Sequence, residues 1–93
     1  MIDKKIYESD VESALIRRVN SLGGFCEKFM AMGRISAPDR IVTLPGGKIV
    51  FVECKRPGYK PSPAQLHDHE RRRNLGCTVF VIDSIEDAKN FNG

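Results

Sequence analysis

Hydrophobic residues along the chain switch between helical and strand spacing. Val11, Ala14, Leu15, Val19 and Leu22 recur every three or four positions, which predicts an amphipathic helix over residues 10–22. Ser9 or Asp10 can cap it, and Gly23-Gly24 ends it. Residues 25–30 read as a short strand, residues 31–38 as a loop, and residues 40–44 as a β-branched strand. Pro45-Gly46-Gly47 is a hairpin turn signal leading into the strongest strand, residues 49–55. After a Pro- and Gly-rich loop, Ser62 and Pro63 suit the N-cap and first position of a second helix running to about Leu75. Residues 77–82 form a continuous apolar run, hence a buried strand, and a short final helix starts at Asp83 or Ser84. The order αβββαβ, with a final helix, predicts a mixed four-stranded sheet flanked by helices. Its last strand, reached by a crossover helix, runs parallel to a neighbour.

With 93 residues the chain reads as a single domain, and 41% hydrophobic with 29% charged residues is the balance of a globular protein, not a disordered one. No apolar run reaches the roughly 18 residues of a membrane span, and the first residues lack the apolar core of a secretory signal. Cys26, Cys54 and Cys77 are odd in number and scattered, which argues against a disulfide scaffold and points to a reducing cytoplasm. A zinc site from Cys54, His67, His69 and Cys77 is not expected, because residues two apart on a helix point about 200° apart. The net charge of +3 becomes informative once it is located. Lys55, Arg56, Lys60, Arg71, Arg72 and Arg73 stand against only Asp68 and Glu70 within residues 54–76, leaving the rest of the chain near neutral. Such a segment is either a solvated face or a phosphate-contacting patch.

Acidic residues occupy places where apolar ones are expected. Alternation along residues 49–55 puts Ile49, Phe51, Glu53 and Lys55 on one face and Val50, Val52 and Cys54 on the other. Glu53 and Lys55 could simply pair at a strand end. The hairpin brings Asp39 beside Glu53 or Cys54, since paired residue numbers sum to about 92 or 93. An even sum, from a three-residue loop, puts Asp39 and Glu53 on the same face, whereas a strict two-residue turn separates them. Asp39 also suits a turn cap. Two adjacent carboxylates need a positive partner: Lys55, an arginine or a divalent cation such as Mg²⁺. The Cys54 backbone carbonyl could complete a cation site. Glu12 lies at the edge of the first helix's apolar arc, as a further ligand, direct or through water, or as a charge favouring the helix dipole.

Pro38-Asp39 followed by Glu53-Cys54-Lys55 resembles the PD-(D/E)xK nuclease pattern, in the element order usual for that superfamily. The stretch from Lys55 to Gln65, with its Pro-Gly, its Ser-Pro helix start and a later Gly76, resembles the virus-type replication-repair nuclease (VRR-NUC) branch over about residues 8–82. The resemblance implies a restriction-endonuclease-like α/β core. It also implies that Asp39, Glu53, the Cys54 carbonyl and Glu12 hold Mg²⁺ or Mn²⁺. Lys55 would position water and stabilise phosphate charge, and Gln65 would orient Lys55, water or phosphate. Gln65 also fits a capping box with Ser62. Arg34, Arg40, Arg56, Lys60, Arg71, Arg72 and Arg73 are the candidate DNA contacts, and His67 and His69 are read as facing phosphate or solvent.

By the same resemblance, a stand-alone member is of phage or prophage origin, acts in the bacterial cytoplasm, and is a homodimeric Holliday junction resolvase. Ile2, Ile6, Tyr7, Phe29 and Met30 are candidate dimer contacts. The alternatives are a flap or nicking endonuclease and a non-catalytic DNA-junction-binding module.

Overall fold

A computed structural model of the chain describes residues 5–30 and 38–93. The first helix, α1, spans Glu8–Ser21 and buries Val11, Ala14, Leu15 and Val19. It begins two residues before the expected start. Tyr7 is the N-cap, and Asp10 at the third helical position accepts the Tyr7 N–H at 2.7 Å, satisfying an otherwise orphaned donor. Strands β1 (Phe25–Lys28), β2 (Arg40–Leu44) and β3 (Lys48–Cys54) follow, then α2 (Pro63–Asn74), β4 (Val79–Ile82) and α3 (Ile85–Lys89). Strand β1 stops two residues short of the expected Met30. No helix among the described residues is long and apolar enough to cross a membrane.

The sheet runs in the order β1-β2-β3-β4. β1 and β3 lie antiparallel to β2, and β4 lies parallel to β3, as its crossover through α2 requires. Leu44 pairs with Lys48, so Pro45-Gly46-Gly47 is a three-residue loop and the paired numbers sum to 92. Gly46 and Gly47 sit at φ 85° and 78°, where a side chain is strained. The strands pair in the even register, which carries Asp39 to the position opposite Glu53.

The two sheet faces are covered differently. α1 and α3 pack on the face that carries Val42, Leu44, Val50, Val52 and Cys54, with Ile82, Ala88 and Phe91 completing one apolar core. Ile6 is partly buried and packs against this core. The opposite face is more polar. Phe29 packs on Phe51 with ring centroids 5.7 Å apart, and Arg72 of α2 lies over both rings at 5.2 and 4.9 Å. The residues that α2 buries are Asp68 and His69, while Leu66 and Leu75 are exposed. Phe29 thus packs on the sheet, Tyr7 and Met30 are exposed, and Ile2 lies outside the described residues.

Gly47→Ala should destabilise the fold by about 1 kcal/mol, because a Cβ is added at positive φ. That corresponds to a Tm lower by roughly 4–8 °C in a domain of this size, read by thermal melting followed by circular dichroism.

Candidate functional site

Pro38 and Asp39 deliver a carboxylate to the end of the sheet. Pro38 is buried, and Asp39 follows it one residue before β2. The Asp39 backbone carbonyl accepts the Phe29 N–H at 2.8 Å, and its Oδ2 accepts the Cys54 N–H at 2.9 Å. The side chain thus acts as the next rung of the β2–β3 ladder, bonding across strands instead of capping its own turn.

Glu53 faces this carboxylate from a completely buried position, at 0% exposure. His69 Nε2 lies 3.2 Å from Oε1, and Gln65 Nε2 donates to Oε2 at 3.4 Å. Burial, a hydrogen bond with Asp39 and the Asp39 charge push the Glu53 pKa up to about 9. At neutral pH the group is therefore a neutral acid hydrogen-bonded to Asp39. Gln65 fills both roles open to it. Its Oε1 accepts the Ser62 N–H at 2.8 Å as a capping box, while its amide nitrogen reaches Glu53.

His69 departs from the expectation of a phosphate- or solvent-facing ring. It is fully buried, and its Nδ1 has no hydrogen-bond partner among the described residues. Burial, followed by the nearby Arg73 charge, lowers its pKa and keeps it neutral. With Nε2 against a carboxyl oxygen, the contacts favour the Nε2–H tautomer. Four residues after Gln65, it sits one helical turn further along the same face of α2.

On the α1 side, Glu8, Glu12 and Asp39 each place a carboxylate oxygen so that all three lie within 4.8 Å of one another. The set differs from the expected one. Glu12 is present, Glu8 joins it, and Glu53 reaches the cluster through Asp39. The spacing of Glu8 four residues before Glu12 is the sequence signal that could have found it. Burial and the Asp39 charge raise the Glu8 pKa. Arg40 lies 3.6 Å from Glu12. Three clustered oxygen donors of high negative charge suit a hard divalent cation such as Mg²⁺ or Mn²⁺. Lys55 follows β3, its N–H donating to the Ile82 carbonyl at 2.9 Å, and its side chain lines a cavity together with Glu8. The Cys54 thiol is buried in the core, its pKa raised by burial, so it offers no nucleophile.

Comparison with known proteins agrees with this architecture. A solved structure described as a VRR_NUC domain is 42% identical and superposes with a TM-score of 0.82, over 89% of this chain and 90% of that one. The chain is also 51% identical over 79 residues to "Putative nuclease p44" of Acyrthosiphon pisum secondary endosymbiont phage 1, covering 85% of each. The chain belongs to the VRR-NUC nuclease family. No family model matches it.

The basic residues of this VRR-NUC nuclease divide into two groups. Arg72 bonds Asp68 at 2.7 Å, and Arg73 donates to the Val79 carbonyl at 2.6 Å. Arg40 turns to Glu12. These three brace the fold. Arg71 is exposed, 4.0 Å from Asp68, and Arg34 lies outside the described residues. Lys55, Arg56 and Lys60 face the cavity instead.

The buried acid makes the metal-free VRR-NUC fold sensitive to alkali. The native state holds the Glu53 proton up to about pH 9, whereas an unfolded glutamate releases it near 4.5. Between those values the native state binds more protons, so stability falls as pH rises, by at most about 1.4 kcal/mol per pH unit. Below about pH 6.5 buried His69 works in the opposite direction, because the unfolded imidazole takes up a proton more readily. Melting temperatures measured in EDTA should therefore decline from pH 7 to 9, and Glu53→Gln should flatten that decline.

Proposed function

We propose that this VRR-NUC nuclease is a Mg²⁺- or Mn²⁺-dependent endodeoxyribonuclease that cuts branched DNA, acting on four-way junctions as a homodimer. The observation that carries the reading is Asp39, whose carboxylate bonds Glu53 on one side and meets Glu8 and Glu12 on the other, beside Lys55. Glu8, Glu12 and Asp39 would hold the cation, with Glu53 and the Cys54 carbonyl at the border of the same site. When bound, such a cation neutralises phosphoryl oxygens and lowers the pKa of water. The chain's own groups do the rest. Lys55 brings an ammonium to where charge develops on the scissile phosphate. Gln65 and His69 hold both oxygens of Glu53 in one orientation. Arg56, Lys60 and Arg71 neutralise the flanking DNA backbone. A homodimer suits a symmetric junction, since a two-fold axis presents two such sites to two strands.

Labelled four-way junction, flap and linear duplex, each with Mg²⁺ and with EDTA, test the reading. Paired symmetric nicks in the junction are expected with Mg²⁺ alone. Cutting confined to the flap would assign a flap nuclease, and no cutting at all would leave a binding module. Asp39→Asn should lower cleavage by at least about a hundredfold while the melting curve shows a folded protein. Lys55→Ala should reduce kcat but still bind Mn²⁺ in calorimetry. DNA binding should weaken with salt by a log–log slope of about −0.9 for each phosphate contacted; a flat response would exclude the basic loop as the footprint.

A further inference from the structure

The cavity beside the acids has a lining that phosphate chemistry alone does not need. It measures about 420 Å³ and is bounded by Tyr7, Glu8, Ser9, Lys55, Arg56, Tyr59 and Lys60. Glu8 and Lys55 also belong to the candidate cleavage site, so whatever enters the cavity is continuous with the phosphate being cut. Its charge is three cations against one acid. Its rings are Tyr7 and Tyr59, 52% and 51% exposed, a large apolar surface to leave in water.

Tyr59 is held as a platform. The Arg56 guanidinium lies 3.8 Å from its ring centroid, and an Arg56 amine donates to the Tyr59 hydroxyl. The Tyr59 N–H closes the turn onto the Arg56 carbonyl at 3.1 Å. A guanidinium against the ring restrains it at the cavity wall, with half of the side chain still exposed. Nucleobases have the matching chemistry, since each carries a flat π-face and follows a phosphate along the strand. The volume falls in the roughly 300–1,000 Å³ range of sites for small ligands, too small for a duplex. A paired base is already stacked between its neighbours and cannot present its face to a side chain.

We propose that this cavity is a subsite for one unpaired nucleotide next to the scissile phosphate, its base on the tyrosine rings and its phosphate on Arg56 and Lys60. The proposal rests on the nuclease reading above and deepens it. The enzyme would recognise a flap by the unpaired nucleotide at its branch, and a four-way junction, whose bases are all paired, only by opening a pair at the crossover, in neither case reading sequence.

Binding in EDTA separates this inference from the cleavage reading, because no turnover is needed. The probes are a single-stranded oligonucleotide with one 2-aminopurine, the same sequence fully paired, and a flap carrying the 2-aminopurine at its branch. The wild-type chain should quench the fluorophore in the single strand and at the branch, but not in the duplex. Tyr59→Leu should abolish the quenching and lower the ratio of single-strand to duplex affinity about tenfold, whereas Tyr59→Phe should keep both. Tyr7→Leu, the second ring of the lining, should lower the ratio in the same direction and serves as the second variant. Equal losses on single strand and duplex would overturn the proposal, as would an unchanged ratio in both leucine variants. If Lys60→Ala alone removed the preference, the site would be a phosphate pocket without stacking, which also overturns it. Failure to cut with Mg²⁺ while the quenching holds would refute the cleavage reading and leave the subsite intact.

Discussion

A single carboxylate at the end of the sheet ties the molecule together. Asp39 accepts the Cys54 N–H, hydrogen-bonds Glu53 and stands within one cluster with Glu8 and Glu12. Each contact serves a different layer: the sheet, the α2 face and α1. Several acids in partly buried surroundings would repel one another if all were ionised. The chain manages this by hydrogen-bonding one oxygen of Asp39 to the backbone, by keeping Glu53 protonated and by bringing Arg40 near Glu12. The residual negative charge faces Lys55, which supports reading the site as prepared for a cation and a phosphate.

That arrangement explains why α2 is an unusual covering helix. A helix over a sheet normally buries leucines, yet α2 exposes Leu66 and its C-cap Leu75 and turns Gln65, Asp68, His69 and Arg72 inward. The face below it carries Glu53, whose oxygens need donors once water is removed. Gln65 and His69 supply them, while Arg72 covers the Phe29 and Phe51 rings and is held by Asp68. Local rules of apolar packing are broken where chemistry is placed, and the apolar core on the other face carries the stability.

Charge counting locates the basic excess but does not distinguish its members. The basic excess of residues 54–76 flanks the acids, as expected. Within it, Arg72 and Arg73 are tied to Asp68 and a strand carbonyl, while Lys55, Arg56 and Lys60 line the cavity beside the acids. An arginine's formal charge says nothing of whether its planar donors are already used.

Much of this protein is local and therefore written in its sequence. The αβββαβ order, the buried face of α1, the Ser62–Gln65 cap and the parallel final strand follow from periodicity, turn residues and crossover geometry. Glu53 and Glu12 stood out as carboxylates within apolar patterns, and Asp39 as the residue the hairpin brings beside Glu53. Register parity was not decided by Pro45-Gly46-Gly47 until the strands paired, and a slip of one residue would have sent Asp39 to the opposite face from Glu53. The addition of Glu8, the burial of His69 and the diversion of Arg40 to Glu12 likewise came only with the tertiary structure. They depend on how far each helix is rotated against the sheet, which is set by packing between segments far apart in the chain and not by the residues next to them.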